Sequence, residues 1–217
     1  MQTILLTGFE PFNGESVNPA WEAVHALAKW RGADFRIEVR QLPCAFGLAC
    51  EAMNAAVAQC SPAIVIGVGQ AGGRAQMSVE RIAINIDDAR IADNRQRQPI
   101  DVPVVAGAPA AYFATLPIKA IVRGMRTGGI PAAVSQSAGT FVCNHVFYGL
   151  MHELATKPSM PVIRAGFIHV PFLPQQAAAH PGAPSMALVD IISGLRIAVA
   201  VTLATQGDLR VSEGQLD

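Results

Sequence analysis

The chain has 217 residues, 51% of them hydrophobic and 15% charged, and its 16 basic and 16 acidic side chains leave a formal charge of zero. No Lys/Arg run offers a phosphate-tracking surface, which excludes nucleic acid as the expected partner. The length suits one domain across 1–217, and apolar content beyond what one such core needs predicts surface that meets another subunit in a homo-oligomer.

The first apolar run, 1–6, has no basic flank or small-residue cleavage site, and residues 3–7 are predicted as a strand. A helix is expected over 19–29, with Asn18 as N-cap before Pro19. Strand 35–42, helix 46–59 and the near-continuously apolar strand 63–68 follow. Residues 77–87 alternate as a strand, 117–126 read as a helix, 132–135 as a short strand, and 142–155 as a helix stopped at Lys157-Pro158. Strand 162–169 and helix 185–205 end the series, and 88–110, with three prolines, is expected as extended loop. Strands alternating with helices predict an α/β fold with helices on both sheet faces. No apolar run reaches the roughly 18 residues of a membrane span, so a soluble, unexported cytoplasmic protein is expected. Its four cysteines, Cys44, Cys50, Cys60 and Cys143, are expected as reduced thiols.

The segment Ser137-Ala138-Gly139-Thr140-Phe141-Val142-Cys143-Asn144-His145 closes a small-residue loop and opens a helix. A cysteine in a first helical turn meets free N–H groups and the positive end of the helix dipole, which favour a thiolate near neutrality over the ordinary pKa of about 8.5. Cys143 is therefore the candidate nucleophile. Of five histidines, His145 projects about 200° from Cys143 on one helix and His152 lies roughly 13 Å along it. His25 falls inside a predicted helix and His180 in a loop. His169 ends a strand, where open α/β sheets assemble their sites, and Cys143, following strand 132–135, is expected on the same edge. A carboxylate that orients the imidazole is also needed. Strand alternation sets Glu80 on the face of Ile82, Ile84 and Ile86, where it needs a partner. An ion pair with a nearby arginine and an orienting role both fit, and Asp87, Asp88 and Asp101 remain rivals.

Phe9 and Phe12 flank Pro11 just after the first strand, and Gln70 carries both a donor and an acceptor. Together with Thr7-Gly8-Phe9-Glu10-Pro11-Phe12, Asn18-Pro19, 67–74, 80–90, 138–145 and Phe167-Ile168-His169-Val170-Pro171, these residues make the chain resemble the pyroglutamyl peptidase I, or pyrrolidone carboxylate peptidase, family along nearly its whole length. The resemblance implies a single three-layer α/β/α sandwich around a twisted mixed sheet. It also implies a cytoplasmic cysteine exopeptidase acting on peptides with an amino-terminal 5-oxoproline, without metal or other cofactor, as a dimer or tetramer. It implies Cys143 as nucleophile, His169 as base and acid, and Glu80 as the orienting carboxylate. Candidate substrate-binding residues are Phe9, Phe12, Asn18, Gln70, Val142 and Arg90, the last as an oxyanion donor. Phe141 stands where many relatives carry tyrosine, and Gln136 where asparagine is common.

Three other chemistries compete. Gly67-Val68-Gly69-Gln70-Ala71-Gly72 is a literal G-x-G-x-x-G, but a dinucleotide site requires it to open a helix, and a strand is expected next. A ligand-binding or nucleoside-phosphorylase-like protein would hold Cys143 as an inert thiol. Metal binding lacks paired-ligand spacing at Cys143, His145 and His152. Cys44, at a strand end, is the one competing nucleophile, whereas Cys50 and Cys60 are expected to fill core space.

Overall fold

A computed structural model describes residues 1–157 and 162–214. Strand β1 (Gln2–Phe9) is buried at every position after Gln2, on both faces, so it lies inside the sheet. Asn18 caps α1 (Pro19–Ala26) by accepting the Ala20 N–H at 3.0 Å. This helix ends earlier than expected, because Leu27, Ala28 and Trp30 donate to carbonyls three residues back and tighten the chain into a turn. Then come β2 (Phe35–Leu42), α2 (Leu48–Cys60) and β3 (Ile64–Gln70).

The expected strand 77–87 is two strands in two sheets. β4 (Met77–Glu80) belongs to the main sheet, whereas β5 (Ile82–Ile84) pairs antiparallel with β6 (Ala111–Phe113), a strand not anticipated. The break falls at Arg81, whose N–H still bonds Ser135 while its carbonyl accepts from Ala114 and its guanidinium reaches Gln136 and the Glu213 carbonyl. Residues 88–110 run without helix or named strand, as expected. Next are α3 (Ile118–Thr127), β7 (Ala132–Ser135), α4 (Val142–Thr156) and β8 (Arg164–Val170). The one-turn α5 (Pro174–Ala177) was not expected, and α6 (Leu188–Ala204) is the last helix. The proposed stop at Pro158 lies outside the described residues.

The six strands order as β2-β1-β3-β8-β4-β7. The first four are mutually parallel; β4 runs against β8 and parallel to β7, which makes the sheet mixed. Helices α1, α3 and α6 cover one face and α2 with α4 the other, giving a three-layer α/β/α sandwich with a separate apolar core under each layer. At about 1.5–3 kcal/mol per fully buried large aliphatic side chain, these two cores fix the central strand ends on which the site is built.

Candidate active site

His169 is 4% exposed and pairs in register with Gly69 of β3 near the carboxyl ends of both strands. Its Nδ1 lies 2.7 Å from Glu80 Oε1. Glu80 is fully buried at the end of β4, so its ionised acid needs partners, and it has two: His169, and Arg74, whose Nη1 donates to the same Oε1 at 2.7 Å. The ion pair and the contact to the imidazole, competing roles in the sequence, thus coexist on one carboxylate oxygen. With the carboxylate accepting from Nδ1–H, Nε2 is left as the nitrogen with the lone pair. Arg74 is held in turn by Ser135 Oγ at 3.4 Å and the Ser137 carbonyl at 3.1 Å.

Cys143 sits at the second position of α4, within the turn whose N–H groups have no intrahelical acceptor. The route to this place differs from the expected one. Because β7 runs opposite to β8, its end does not point to the edge where the parallel strands finish. Residues 136–141 bring the chain back, and α4 starts against Gly69. The next two residues anchor that turn. Asn144, fully buried, accepts from the Ile84 N–H and donates to the carbonyls of Ile84 and Ile86. His145 Nδ1 lies 2.8 Å from Asp87 Oδ2, and the Gly47 N–H donates to its Nε2 at 2.9 Å. Burial disfavours the His145 cation, while hydrogen bonding to Asp87 and Cys50, and their charges, favour it. The Gly47 N–H decides the ring state, because a protonated Nε2 would set two N–H groups head to head at 2.9 Å; the resting ring is neutral, with its proton on Nδ1.

Burial works against the expected easy ionisation of Cys143. Desolvation pushes the thiol well above its ordinary range, Cys44 and Glu80 push the same way, and Arg74 opposes them. The helix terminus, worth about 0.3–1 kcal/mol and up to about 2, acts on the side of Arg74.

Cys143 and His169 line one cavity of about 170 Å³ with Phe9, Phe12, Gln70 and Phe141. Rings of Phe12 and Phe141, centroids 6.0 Å apart and tilted by 39°, form an apolar wall of it. Asn18 reaches the cavity too, but its amide is already engaged by the Ala20 N–H and the Glu10 carbonyl. Val142 is fully buried in the core and does not line the cavity; Phe141 supplies that wall instead. Arg90 is exposed and lines an adjoining cavity with Phe12, Gln70, Phe141 and Phe172 rather than the one that holds Cys143. Cys44, 3% exposed, faces the cavity, and burial, then Glu10 and Asp93, raise its thiol pKa to about 12. Cys50 and Cys60 are half-buried and pack against the core under α2 and α4, and all four thiols are free. Among the described residues no three His, Cys, Asp or Glu side chains gather as a metal site.

The G-x-G-x-x-G glycines make room for side chains. A Cβ on Gly67 would meet the Phe167 ring at 2.5 Å, one on Gly69 would meet Cys143 Sγ at 2.7 Å, and one on Gly72 would run into Phe172. The motif leads through a turn into β4, not into a helix, so a dinucleotide-binding context is absent.

A thiol in a helical first turn, an imidazole and a buried carboxylate around an apolar cavity on an α/β/α sandwich define a thiol hydrolase. Pyroglutamyl peptidase is the family whose profile matches residues 2–205. The pyrrolidone-carboxylate peptidase of Cupriavidus taiwanensis is 63% identical over 216 residues, covering 100% of both chains, and that of Escherichia fergusonii 55% identical, covering 99% of both. Among solved structures, pyroglutamyl peptidase I from Bacillus amyloliquefaciens superposes with a TM-score of 0.93 at 45% identity, over 97% of this chain and 99% of that one. A mutant pyrrolidone carboxyl peptidase from Pyrococcus furiosus gives 0.89 at 42%, over 93% and 98%. The chain belongs to the pyroglutamyl peptidase family.

Arg74, Asn144 and the neutral His145 were not found as site residues from the sequence. Arg74 follows a Gly-Gly turn, and only the fold shows that it returns to Glu80. For His145 the sequence shows only its place two residues from Cys143, which says nothing of its anchoring to Asp87 and Gly47.

Proposed function

We propose that Cys143, His169 and Glu80 are the triad with which this chain, as a cysteine-type omega peptidase, cleaves the bond after an amino-terminal 5-oxoproline. The reading is carried by one observation above all: a histidine fixed by a buried carboxylate at 2.7 Å shares a small apolar cavity with a helix-opening thiol. His169 Nε2 takes the Cys143 proton as Sγ bonds to the scissile carbonyl carbon. The oxyanion that forms accepts from the first-turn N–H of Cys143; losing one such donor typically costs about 10²–10³ in rate. The C–N bond breaks as His169 returns the proton to the departing amine, leaving a thioester. Water, giving its proton to His169, attacks the thioester; the C–S bond breaks, sulfur recovers a proton, and free 5-oxoproline leaves.

A neutral lactam has no ammonium to recognise. Phe12 and Phe141 suit its flat faces, and Gln70 offers a polar atom for its ring amide. Arg90 belongs to the neighbouring cavity, which suits the residue after 5-oxoproline better than the oxyanion. Activity is read by release of a fluorogenic amine from 5-oxoprolyl and prolyl forms of one substrate. Cleavage of the first only, abolished in Cys143→Ser and retained in Cys44→Ser, is the expected result. Equal loss in both variants contradicts the assignment.

The single domain across 1–217, a cytoplasmic location and a homodimeric or homotetrameric assembly remain part of the proposal. Free thiols favour the location, and no helix among the described residues is long and apolar enough to cross a membrane. Assembly rests on the apolar excess, with Ile100, Phe113 and Val189 exposed, and sedimentation velocity tests it.

A further inference from the structure

Gln176 is 3% exposed, on the one-turn helix that follows β8. Its Oε1 accepts the backbone N–H of Leu173 at 3.1 Å. That bond fixes the amide, because a backbone N–H can face only an acceptor. Nε2 must then point the other way, where it meets Glu15 Oε2 at 3.1 Å, the Val17 carbonyl at 3.3 Å and Gln70 Oε1 at 3.2 Å. All three are acceptors, and the two hydrogens of Nε2 are shared among them. Glu15 is itself held by His180 Nε2 at 2.8 Å from its other oxygen, so it cannot swing away without losing a second partner.

The consequence reaches the cavity. Gln70 ends β3, half-buried, and lines both the cavity of Cys143 and the adjoining one. With Gln176 donating, the atom Gln70 turns towards it must be oxygen, so the Gln70 nitrogen faces elsewhere; among the described residues it has no hydrogen-bond partner. We infer that Gln176 is a positioning residue that locks the Gln70 amide with its N–H donors towards the cavity, so that the site selects a ring carbonyl. This rests on the lactam-binding reading of the site. A lactam carbonyl satisfies that donor; plain proline presents a methylene there and leaves it unpaired. Selectivity for the 5-oxo group then originates in a backbone N–H at Leu173 and is passed through two glutamines.

Gln176→Met, close in volume, and Gln176→Glu, which puts an acceptor opposite Gln70, test it. Steady-state hydrolysis of a 5-oxoprolyl amide is measured together with protection of Cys143 from iodoacetamide by 2-pyrrolidone. In both variants KM and the 2-pyrrolidone concentration for half-protection should rise about 10- to 100-fold, with kcat and the unprotected alkylation rate close to wild type. Gln70→Met should show the same loss, and the Gln70→Met/Gln176→Met double variant no more than either alone, since both break one chain. Wild-type KM in either Gln176 variant, a fall in kcat at constant KM, or additive losses would overturn the inference. A wild-type enzyme that 2-pyrrolidone does not protect would instead overturn the lactam reading beneath it.

Discussion

A Cβ placed on Gly69 would stand 2.7 Å from Cys143 Sγ and 2.9 Å from Phe167 Cε1, so that sulfur occupies space that any other residue at 69 would fill. Gly69 of β3 pairs with His169 of β8, which puts the thiol over the strand next to the one that carries the imidazole. A missing side chain on one strand thereby sets the sulfur beside the imidazole of the next.

Gly69→Ala is expected to displace the sulfur or the Phe167 ring. Displacement of a reacting group by about 1 Å can cost about 10²-fold, and overpacking destabilises by about 1–3 kcal/mol. The prediction is a kcat/KM loss of about 100-fold with a lowered unfolding midpoint. Wild-type kinetics in a stable Gly69→Ala variant would show that the thiol does not depend on that gap.

Arg74 is the one charge that favours ionisation of Cys143 against burial, Cys44 and Glu80. Arg74→Met should shift iodoacetamide labelling of Cys143 to higher pH and reduce activity, because Glu80 also loses its guanidinium partner. Arg74→Lys, which keeps the charge, should lie nearer wild type in labelling. Coincident labelling curves for all three proteins would remove Arg74 from the electrostatics of the site.

Cys44 gives stability a signature at alkaline pH. Its folded thiol ionises near pH 12, against 9.0 for the unperturbed group. Between those values the unfolded chain sheds the proton and the folded chain keeps it, so the unfolded state binds fewer protons and stability falls as pH rises. Below about pH 9 this contribution is constant. Urea melts from pH 8 to pH 10.5, within about that window, should fall less steeply for Cys44→Ala than for wild type. Parallel pH profiles would mean that the Cys44 thiol is solvated.

Much of this arrangement was legible in the residues. Periodicity located the main strands and helices because their apolar faces are buried against one sheet, and the strand-end position of His169 identified it among five histidines. The expectation for Cys143 reached the right neighbourhood by the wrong path, since strand direction is a tertiary property and nothing within 132–135 says that β7 runs against β8. The same blindness joined β4 to β5: residues 77–87 alternate throughout, and only the partners of Arg81 reveal that the chain changes sheets there. Val142 is a candidate substrate-binding residue by sequence, yet a helix turns adjacent residues by about 100°, and beside Cys143 its side chain enters the core. A sequence displays the helix start that favours the Cys143 thiolate but not the burial that opposes it.

The central claim is that sulfur 143 carries the acyl group. Acid quenching during turnover of a 5-oxoprolyl amide, followed by mass analysis of peptides, tests it directly. The account predicts a 5-oxoprolyl thioester on Cys143 alone, which accumulates when water attack is slowed. An acyl group on Cys44, or full turnover with Cys143 alkylated, would contradict it.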